Sequence, residues 1–354
     1  MGYEIDFLPV GDGEKGGDAI VLRIGDLHGK RENQNVIVID GGTKESGKQI
    51  IEHIKKYYNT DVVDTVICSH LHSDHASGLT EVLENLKVNK LLMHLPWEHS
   101  DDIKNMFTDG RLTAKGLNEK MEKSLTSIKN LEELAQEKNI PIIEPFAGLS
   151  IHEDGTLTVI GPSEDYYKEL LANCEFLPKV REEFSILEKA KDFGQKIINW
   201  ISETIDMATE TLDDSGETSC ENNTSTIILF KSDDKRALFT GDAGIPALTK
   251  AIEHASSVGV DLNNLDFLDV PHHGSKRNIG KTLLNYLMPK MSFISAPVKG
   301  DPKHPSRKVI NALKRRKSSV VATKGKKIWH FNNAPVRSDY GPAVEEPLHT
   351  QVED

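Results

Sequence analysis

The stretch SHLHSDHASG, Ser69 to Gly78, constrains this chain more than any other. Three histidines and an aspartate fall within six residues, directly behind the apolar run DVVDTVIC (61–68). Core packing gives no reason to put that much imidazole at a strand end. His70 and His72, two apart beyond a strand, can turn both rings toward one ion. Asp74 and His75 can serve a second ion close by. A mixed nitrogen and carboxylate set suits zinc, and also manganese or iron. Two divalent ions about 3.5–4 Å apart can clamp the attacking and leaving groups of a hydrolysis. A carboxylate shared between them must come from elsewhere in the chain. FTGD supplies Asp242 at a strand end, behind a glycine that opens space for close approach. DVPHHGSK supplies His272 and His273 at the next strand end. His272 is taken as the ligand, with His273 as its alternative, because adjacent histidines cannot be ranked by sequence. His28, His53, His99, His152, His254 and His349 lack such context and read as ordinary surface or helix histidines.

The periodicity around these motifs predicts where they sit. YEIDFLPV (3–10), DAIVLRIG (18–25) and NVIVIDGG (35–42) read as strands separated by turn material. A helical stripe of Ile50, Ile51, Ile54, Tyr57 and Tyr58 follows, then the strand 61–68, the histidine loop, and a helix marked by Leu79, Val82, Leu83 and Leu86. NKLLMH (89–94) continues as a strand, 115–139 as one long helix, and LTVIGP (157–162) closes the first half. The second half repeats the alternation: STIILFKS and RALFTGD, a helix 245–257, LDFLDVP, a helix 279–287, MSFISAP, a helix 306–316, then SVVAT and KIWHF. Strands feeding helices in both halves predict two packed sheets with helices outside, a four-layered αββα sandwich. The chain is expected to be one domain over 1–335. Residues 165–221 read as a helical and polar insertion, with an amphipathic helix from Ile186 to Ile205, that forms a lid, a partner-facing arm or a plain surface excursion. Residues 336–354 read as a poorly ordered tail.

Composition narrows the classes. The chain has 354 residues, 37% of them apolar, and a formal charge of −12. That is enough apolar material for a real core and no advertisement of general nucleic-acid affinity. Cys68, Cys174 and Cys220 are odd in number and lack zinc-like spacing, so they read as reduced thiols in a reducing, cytoplasmic setting. No basic segment leads into an apolar run, and no stretch approaches 18 apolar residues, so neither an export signal nor a membrane span is expected. LKRRKSS (313–319) and TKGKK (323–327) are basic islands. A single strand of DNA or RNA could follow them, although a basic helix end also suits the helix dipole.

With HxHxDH on the page, the sequence resembles the metallo-β-lactamase fold superfamily of metal-dependent hydrolases. More narrowly it is similar to the nuclease-like domain of the ComEC competence family. VGDG with DAIVLRI and VIVIDGG, ENNTSTIILF before TGD, VPHHGSK, and HPS at 304–306 carry that likeness. It covers about 1–160 and 222–331. It implies a metal site of His70, His72, Asp74, His75, Asp242 and His272, filled by one or two zinc ions or by manganese. Superfamily members commonly have a further histidine before the GD strand. Here the chain reads CENNTST, so the His70/His72 ion is either loosely held, manganese, or absent beside a mononuclear Asp74, His75, Asp242 and His272 site. Asn223 and Ser225 are then taken as substrate contacts.

The resemblance favours phosphodiester cleavage, with Asp74 orienting water, Ser275 and Lys276 on phosphate, and His304 as a ligand or leaving-group acid. The expected substrate is a small phosphodiester or a single-stranded nucleic acid, with a protein partner at 165–221 as a further expectation. Hydrolysis of a small phosphoester or a carboxylic ester is the alternative, with a lactam ranked last. A binding module with a degraded centre ranks below both, because HxHxDH and Asp242 are intact.

Overall fold

The computed structural model describes residues 1–11, 16–152, 154–186, 210–300 and 303–353. Three strands buried along nearly their whole length, β1 (Gly2–Phe7), β2 (Ala19–Gly25) and β3 (Gln34–Gly41), form an antiparallel meander. Short β4 (Val62–Val63) pairs in parallel with β6 (Lys87–Val88) as a separate ribbon. β5 (Thr65–Ile67), β7 (Leu91–Leu92) and β8 (Ile142–Ile143) continue the main sheet in parallel beyond β3. The second sheet holds β9 (Leu157–Gly161), β10 (Ile227–Ser232), β11 (Lys235–Phe239), β12 (Phe267–Asp269), β13 (Met291–Ile294) and β14 (Ser319–Ala322). Here β9, β10 and β11 are antiparallel, and β11 to β14 are parallel. Finally β15 (Ile328–Asn332) returns to the first sheet beside β1. Each sheet is thus an antiparallel meander followed by parallel strands.

Period-two alternation divides the apolar side chains between two faces. Phe7, Ile20, Ile37 and Ile67 of the first sheet meet Phe230, Phe239, Phe267 and Phe293 of the second in one inter-sheet core. The opposite face of the first sheet, with Val21, Val38 and Val66, packs on Ile50, Ile54, Leu79 and Leu83 of the helices. The opposite face of the second, with Leu229, Leu238 and Leu268, packs on Leu248, Leu284 and Leu313. The architecture is therefore the αββα sandwich expected, and its loops gather at the C-terminal ends of the parallel strands.

Four expectations change. The single helix over 115–139 is two, Ala114–Ser124 and Thr126–Glu137, separated at Leu125. The stripe that ends at Tyr58 leaves the α-helix at His53 for a wider turn over Ile54–Tyr58, while Ile54 and Tyr58 stay buried. The segment read as an insertion begins with a core element. The helix Glu164–Ala172 places Tyr167 and Leu171 in one helix-side core and Tyr166 and Leu170 in the other. Of its amphipathic stretch, Leu187 to Ile205 lies outside the described residues. The C-terminal stretch read as a loose tail is tied down, because Arg337 reaches Asp6 at 2.6 Å and Glu346 N–H donates to Val320 O at 2.8 Å. Cys68, Cys174 and Cys220 are free thiols. Among the described residues no helix is long and apolar enough to cross a membrane.

Candidate metal centre

Two unusual backbone features aim the site. Asp40, the penultimate residue of β3, has φ 57°, a left-handed conformation that a non-glycine residue adopts at a cost of about 1–3 kcal/mol. The bend turns its carboxylate onto the histidine loop, where Asp40 Oδ1 accepts from Ser69 N–H at 2.7 Å. Asp40 Oδ2 accepts from Ser69 Oγ at 2.5 Å and from His75 Nδ1 at 2.7 Å. After β12 the chain makes three left-handed residues in a row, His272 (φ 49°), His273 (φ 55°) and Gly274 (φ 77°). That tight turn lets two adjacent histidines face one carboxylate. The helix Ser73–Asn85 must also approach the sheet closely. A Cβ on Gly78 would lie 1.9 Å from Gly41 O, so only glycine fits there.

The carboxylate is Asp242, 2% exposed beyond β11. Its N–H donates to Ser225 Oγ at 3.0 Å, and its carbonyl accepts from Asn278 Nδ2 at 2.7 Å. Its Oδ2 lies 3.6 Å from His70 Nε2 and 3.5 Å from His272 Nε2. Its Oδ1 lies 3.5 Å from His75 Nε2 and 3.8 Å from His273 Nε2. Each of these four rings has its Nδ1 committed elsewhere. His70 Nδ1 donates to Ser69 Oγ at 2.9 Å, which itself gives its proton to Asp40. His75 Nδ1 donates to Asp40, His272 Nδ1 to Asn278 Oδ1 at 2.9 Å, and His273 Nδ1 to Ser295 O at 3.0 Å. The tautomers assigned by this network aim four Nε2 atoms at one carboxylate, that of His70 also accepting from His72 Nδ1 at 3.2 Å. Acceptors facing acceptors repel unless a cation lies among them. His75 Nε2 and Asp242 Oδ1 are buried and have no hydrogen-bond partner among the described residues.

The electrostatics agree. Burial raises the Asp242 carboxyl, but His75, His272, His273 and His70 outweigh it and hold the group far below the usual carboxylate range. Burial lowers His75, yet Asp242 and Asp40 carry it well above the usual imidazole value. Both shifts say that positive charge belongs between these two residues, whether a proton or a metal ion. His70 is pushed down by burial and then by His75.

The donor atoms divide into two sets that a third joins. His70, His72 and Asp242 have ligand atoms within 4.8 Å of one another, as do Asp74, His75 and His273. Asp18 forms a further set with His75 and Asp242. This donor chemistry fits divalent ions on either side of Asp242. His72, held 3.2 Å from His70 Nε2 through its Nδ1, belongs to the first side together with His272. Asp74 belongs to the second. Both members of the histidine pair therefore reach the centre, on opposite oxygens of Asp242, and His273 rather than His272 stands beside Asp74 and His75.

Other expected site residues are placed differently. Asn223 Oδ1 accepts from Gly244 N–H at 3.1 Å and its Nδ2 donates to Ser219 O, so it holds backbone. Ser225 supports Asp242. It is Asn222 whose Nδ2 lies 3.2 Å from His272 Nδ1. Ser275 is buried, with its Oγ accepting from Arg277 N–H at 3.2 Å, and half-buried Lys276 follows it. His304 stands at the rim, its ring centroid 5.2 Å from that of His272. Burial, then His273 and His272, push its pKa down to about 4. It is neutral at pH 7, which fits a ligand or proton acceptor better than a leaving-group acid. Three buried acids were missed by sequence reasoning. Asp18 lies 3.6 Å from His273 Nδ1 and 3.8 Å from His75 Nδ1. Asp40 orients the loop. Asp269 accepts from Thr240 N–H at 3.2 Å and is raised well above its usual pKa by burial and by Asp18. Their only sequence signal is an acid at each strand boundary, in GGDAI, VIDGG and FLDVP.

Residues 19–160 match the family model described as Metallo-beta-lactamase superfamily. That match takes in less than half of the chain. It includes β2, β3, Asp40 and the whole histidine loop, whereas Asp242 and the His272–His273 pair lie beyond the matched residues. Among solved structures the chain is similar to Igni18, a metallo hydrolase from Ignicoccus hospitalis, at 12% identity over 92% of this chain and 98% of that one, with a TM-score of 0.42. It is similar to CmlA, a diiron β-hydroxylase from Streptomyces venezuelae, at 10% identity over 93% of this chain and 54% of that one, TM-score 0.43. It is also similar to the metallo-beta-lactamase SMB-1, at 10% identity over 80% of this chain and 91% of that one, TM-score 0.35. Among proteins of curated function none matches significantly.

Proposed function

We propose that this protein is a metal-dependent hydrolase that cleaves phosphodiesters at the Asp242 centre. One observation carries the metal dependence: four histidine Nε2 atoms, each ring held by a hydrogen bond at Nδ1, surround one buried carboxylate, and His75 Nε2 and Asp242 Oδ1 have no hydrogen-bond partner among the described residues. Zinc or manganese bound there would supply Lewis acidity, easing deprotonation of water and neutralising charge on phosphoryl oxygens. His70, His72, His272 and Asp242 Oδ2 form one side of the cradle. Asp74, His75, His273 and Asp242 Oδ1 form the other, with Asp18 behind. Asp74 is the carboxylate least enclosed by protein, so it is the group that can orient water and take up its proton. Lys276, directly after the histidine turn, offers a point charge for a nonbridging oxygen. The phosphodiester class is supported by the likeness of VPHHGSK and HPS to the ComEC-type nuclease domain. The free thiols suit a reducing, cytoplasmic setting.

A second reading, hydrolysis of a small phosphoester, has its own observation. The basic islands are not an open cationic track, since Arg316 is buried against Glu210 at 2.7 Å and Lys314 pairs with Glu345 at 3.2 Å. The deciding experiment strips the protein of metal, reloads it with zinc or manganese, and assays bis(4-nitrophenyl) phosphate, single-stranded DNA, RNA, a 4-nitrophenyl carboxylate and a lactam. Metal-restored cleavage of the phosphodiesters is expected. Turnover of the carboxylate or the lactam alone would overturn the reading.

A further inference from the structure

The last eleven described residues, 343–353, lie along the edge strand β14 and the helix Arg307–Arg315. Glu345 forms an antiparallel bridge with Val321, and Glu346 N–H donates to Val320 O at 2.8 Å. His349 and Asn311 exchange two hydrogen bonds of 2.8 Å each. Each glutamate of the segment meets a cation or a helix start. Glu345 Oε2 lies 3.2 Å from Lys314 Nζ, and Glu346 Oε2 lies 2.7 Å from Lys324 Nζ. Glu353 accepts from Ser306 Oγ and, at 3.2 Å, from Arg307 N–H. The last contact lies at the metal centre's rim. Ser306 is two residues from His304, and its N–H donates to the carbonyl of Gly274, the residue after His273, at 3.0 Å. A row of carboxylates therefore runs from the two basic islands to the mouth of the site.

We propose that residues 343–353 are an intramolecular competitor for the phosphate backbone of a single-stranded nucleic acid, which binds the Lys314 and Lys324 face and leads into the metal centre once the segment is displaced. This rests on the phosphodiesterase reading above. The manner in which the segment is held supports displacement. Its apolar side chains are not buried: Val344 is 73% exposed and Leu348 57%. Its Glu345–Lys314 pair, with Glu345 about half exposed, is of a kind worth about 0–1 kcal/mol and weakened by salt, whereas Glu346 is buried against Lys324 and is the firmer of the two. Directly before it, Gly341 and Pro342 are exposed, while Arg337, four residues before Gly341, is anchored on buried Asp6. A firm anchor, an exposed joint and an acidic strap follow one another along the chain. Phosphates would take over from carboxylates of the same charge sign, and release of counterions would favour the polymer at low salt.

The test uses the full chain carrying Glu345→Gln, Glu346→Gln and Glu353→Gln, which keep the backbone pairing along β14. The probe is a fluorescein-labelled twenty-residue oligothymidylate, read by anisotropy in metal-free buffer so that no turnover occurs. Affinity is expected to rise at least about 10-fold, and the log–log salt slope to steepen by roughly 0.7 for each of the two lysines released. Adding Lys314→Gln and Lys324→Gln should return affinity to the wild-type value. A control of equal charge change, Glu119→Gln with Glu133→Gln and Glu137→Gln on exposed helix surface, should leave affinity within about twofold. Unchanged affinity in the strap variant, an equal gain in the control, or a gain that survives loss of both lysines would overturn the strap. Because binding is read without hydrolysis, failure of the phosphodiesterase reading would show separately, as no cleavage of bis(4-nitrophenyl) phosphate by metal-loaded wild-type protein.

Discussion

Two clusters of buried charge in this molecule share ingredients and differ in what completes them. In the first, Glu4 and Asp6 on β1 are fully enclosed. Arg23 reaches Glu4 at 2.6 Å, and Arg337 reaches Glu4 at 3.0 Å and Asp6 at 2.6 Å. His53 lies 3.1 Å from Asp6, and Tyr58 donates to it at 2.7 Å. In the second, Asp242 is ringed by histidines, and the nearest of their nitrogens stand at 3.5 Å. The first cluster brings its own cations and closes on itself. The second gathers lone pairs and carboxylates at separations too long for hydrogen bonds and suited to ligands of a shared ion. Self-sufficiency marks a structural cluster, and a common deficit of positive charge marks a binding one.

This contrast can be broken most directly at Asp6. Asp6→Ala leaves buried His53 without its carboxylate and Arg337 with Glu4 alone, and should cost about 3–5 kcal/mol of stability in urea unfolding, while the folded fraction keeps its turnover. The pH dependence should follow. Burial raises Asp6, but His53 and Arg337 outweigh it and hold its carboxyl below the usual range. A depressed folded-state pKa contributes stability above the unfolded value of about 4, and that contribution is lost as pH falls below it. The gap between wild type and variant should therefore narrow on acidification; a constant gap from neutral pH to pH ~3 would mean that Asp6 does not act through its charge.

The converse substitution is Asp242→Asn. Turnover should fall by at least ~100-fold, with metal-free stability moving less than in Asp6→Ala. Near-normal hydrolysis by the purified variant would remove Asp242 from the centre. Metal linkage sharpens the same comparison. Zinc at one hundred times its Kd should stabilise the wild type by about 2.7 kcal/mol, seen as a rise in Tm, and should stabilise Asp6→Ala equally and Asp242→Asn far less. The smallest effect is expected at Asn278, which accepts from His272 and holds the Asp242 carbonyl. Asn278→Ala should weaken metal binding or turnover by about 10-fold, and equilibrium dialysis reads the first of these directly.

Much of the centre could be read before folding because its donors are local. His70, His72, Asp74 and His75 crowd one loop, and no packing argument accounts for them. Asp242 and the His272–His273 pair were legible because each ends a strand beside a glycine. Asp18, Asp40 and Asp269 were not, since a single acid at a strand boundary is common and only the convergence of separate strands gives it meaning. His53 shows the same limit from the other side. It reads as an ordinary helix histidine until β1 brings Asp6 against it. Asn223 was taken as a substrate contact but holds backbone, while Asn222 lies by His272, because neighbouring residues on a single helical turn point in different directions. The layered fold followed from strand and helix periodicity, which is local. The C-terminal segment was misread because its polar composition matches that of a tail, whereas its attachment depends on Asp6, Lys314 and Lys324, far away in sequence.

The contact between Gly78 and the end of β3 has an evolutionary consequence. A Cβ at Gly78 would meet Gly41 O at 1.9 Å and Thr43 O at 2.5 Å, both backbone atoms, so nothing flexible can yield. No smaller step than a whole methyl group exists between glycine and the next residue. Selection therefore has no gradual route for sliding the histidine helix along the sheet. Substitutions at the rim, where Lys276, His304 and the strap reside, can come one side chain at a time, but a change in the spacing between Asp40 and His75 needs strand end and helix to shift together. Diversity among descendants of such a site should accumulate around its mouth while its floor stays fixed.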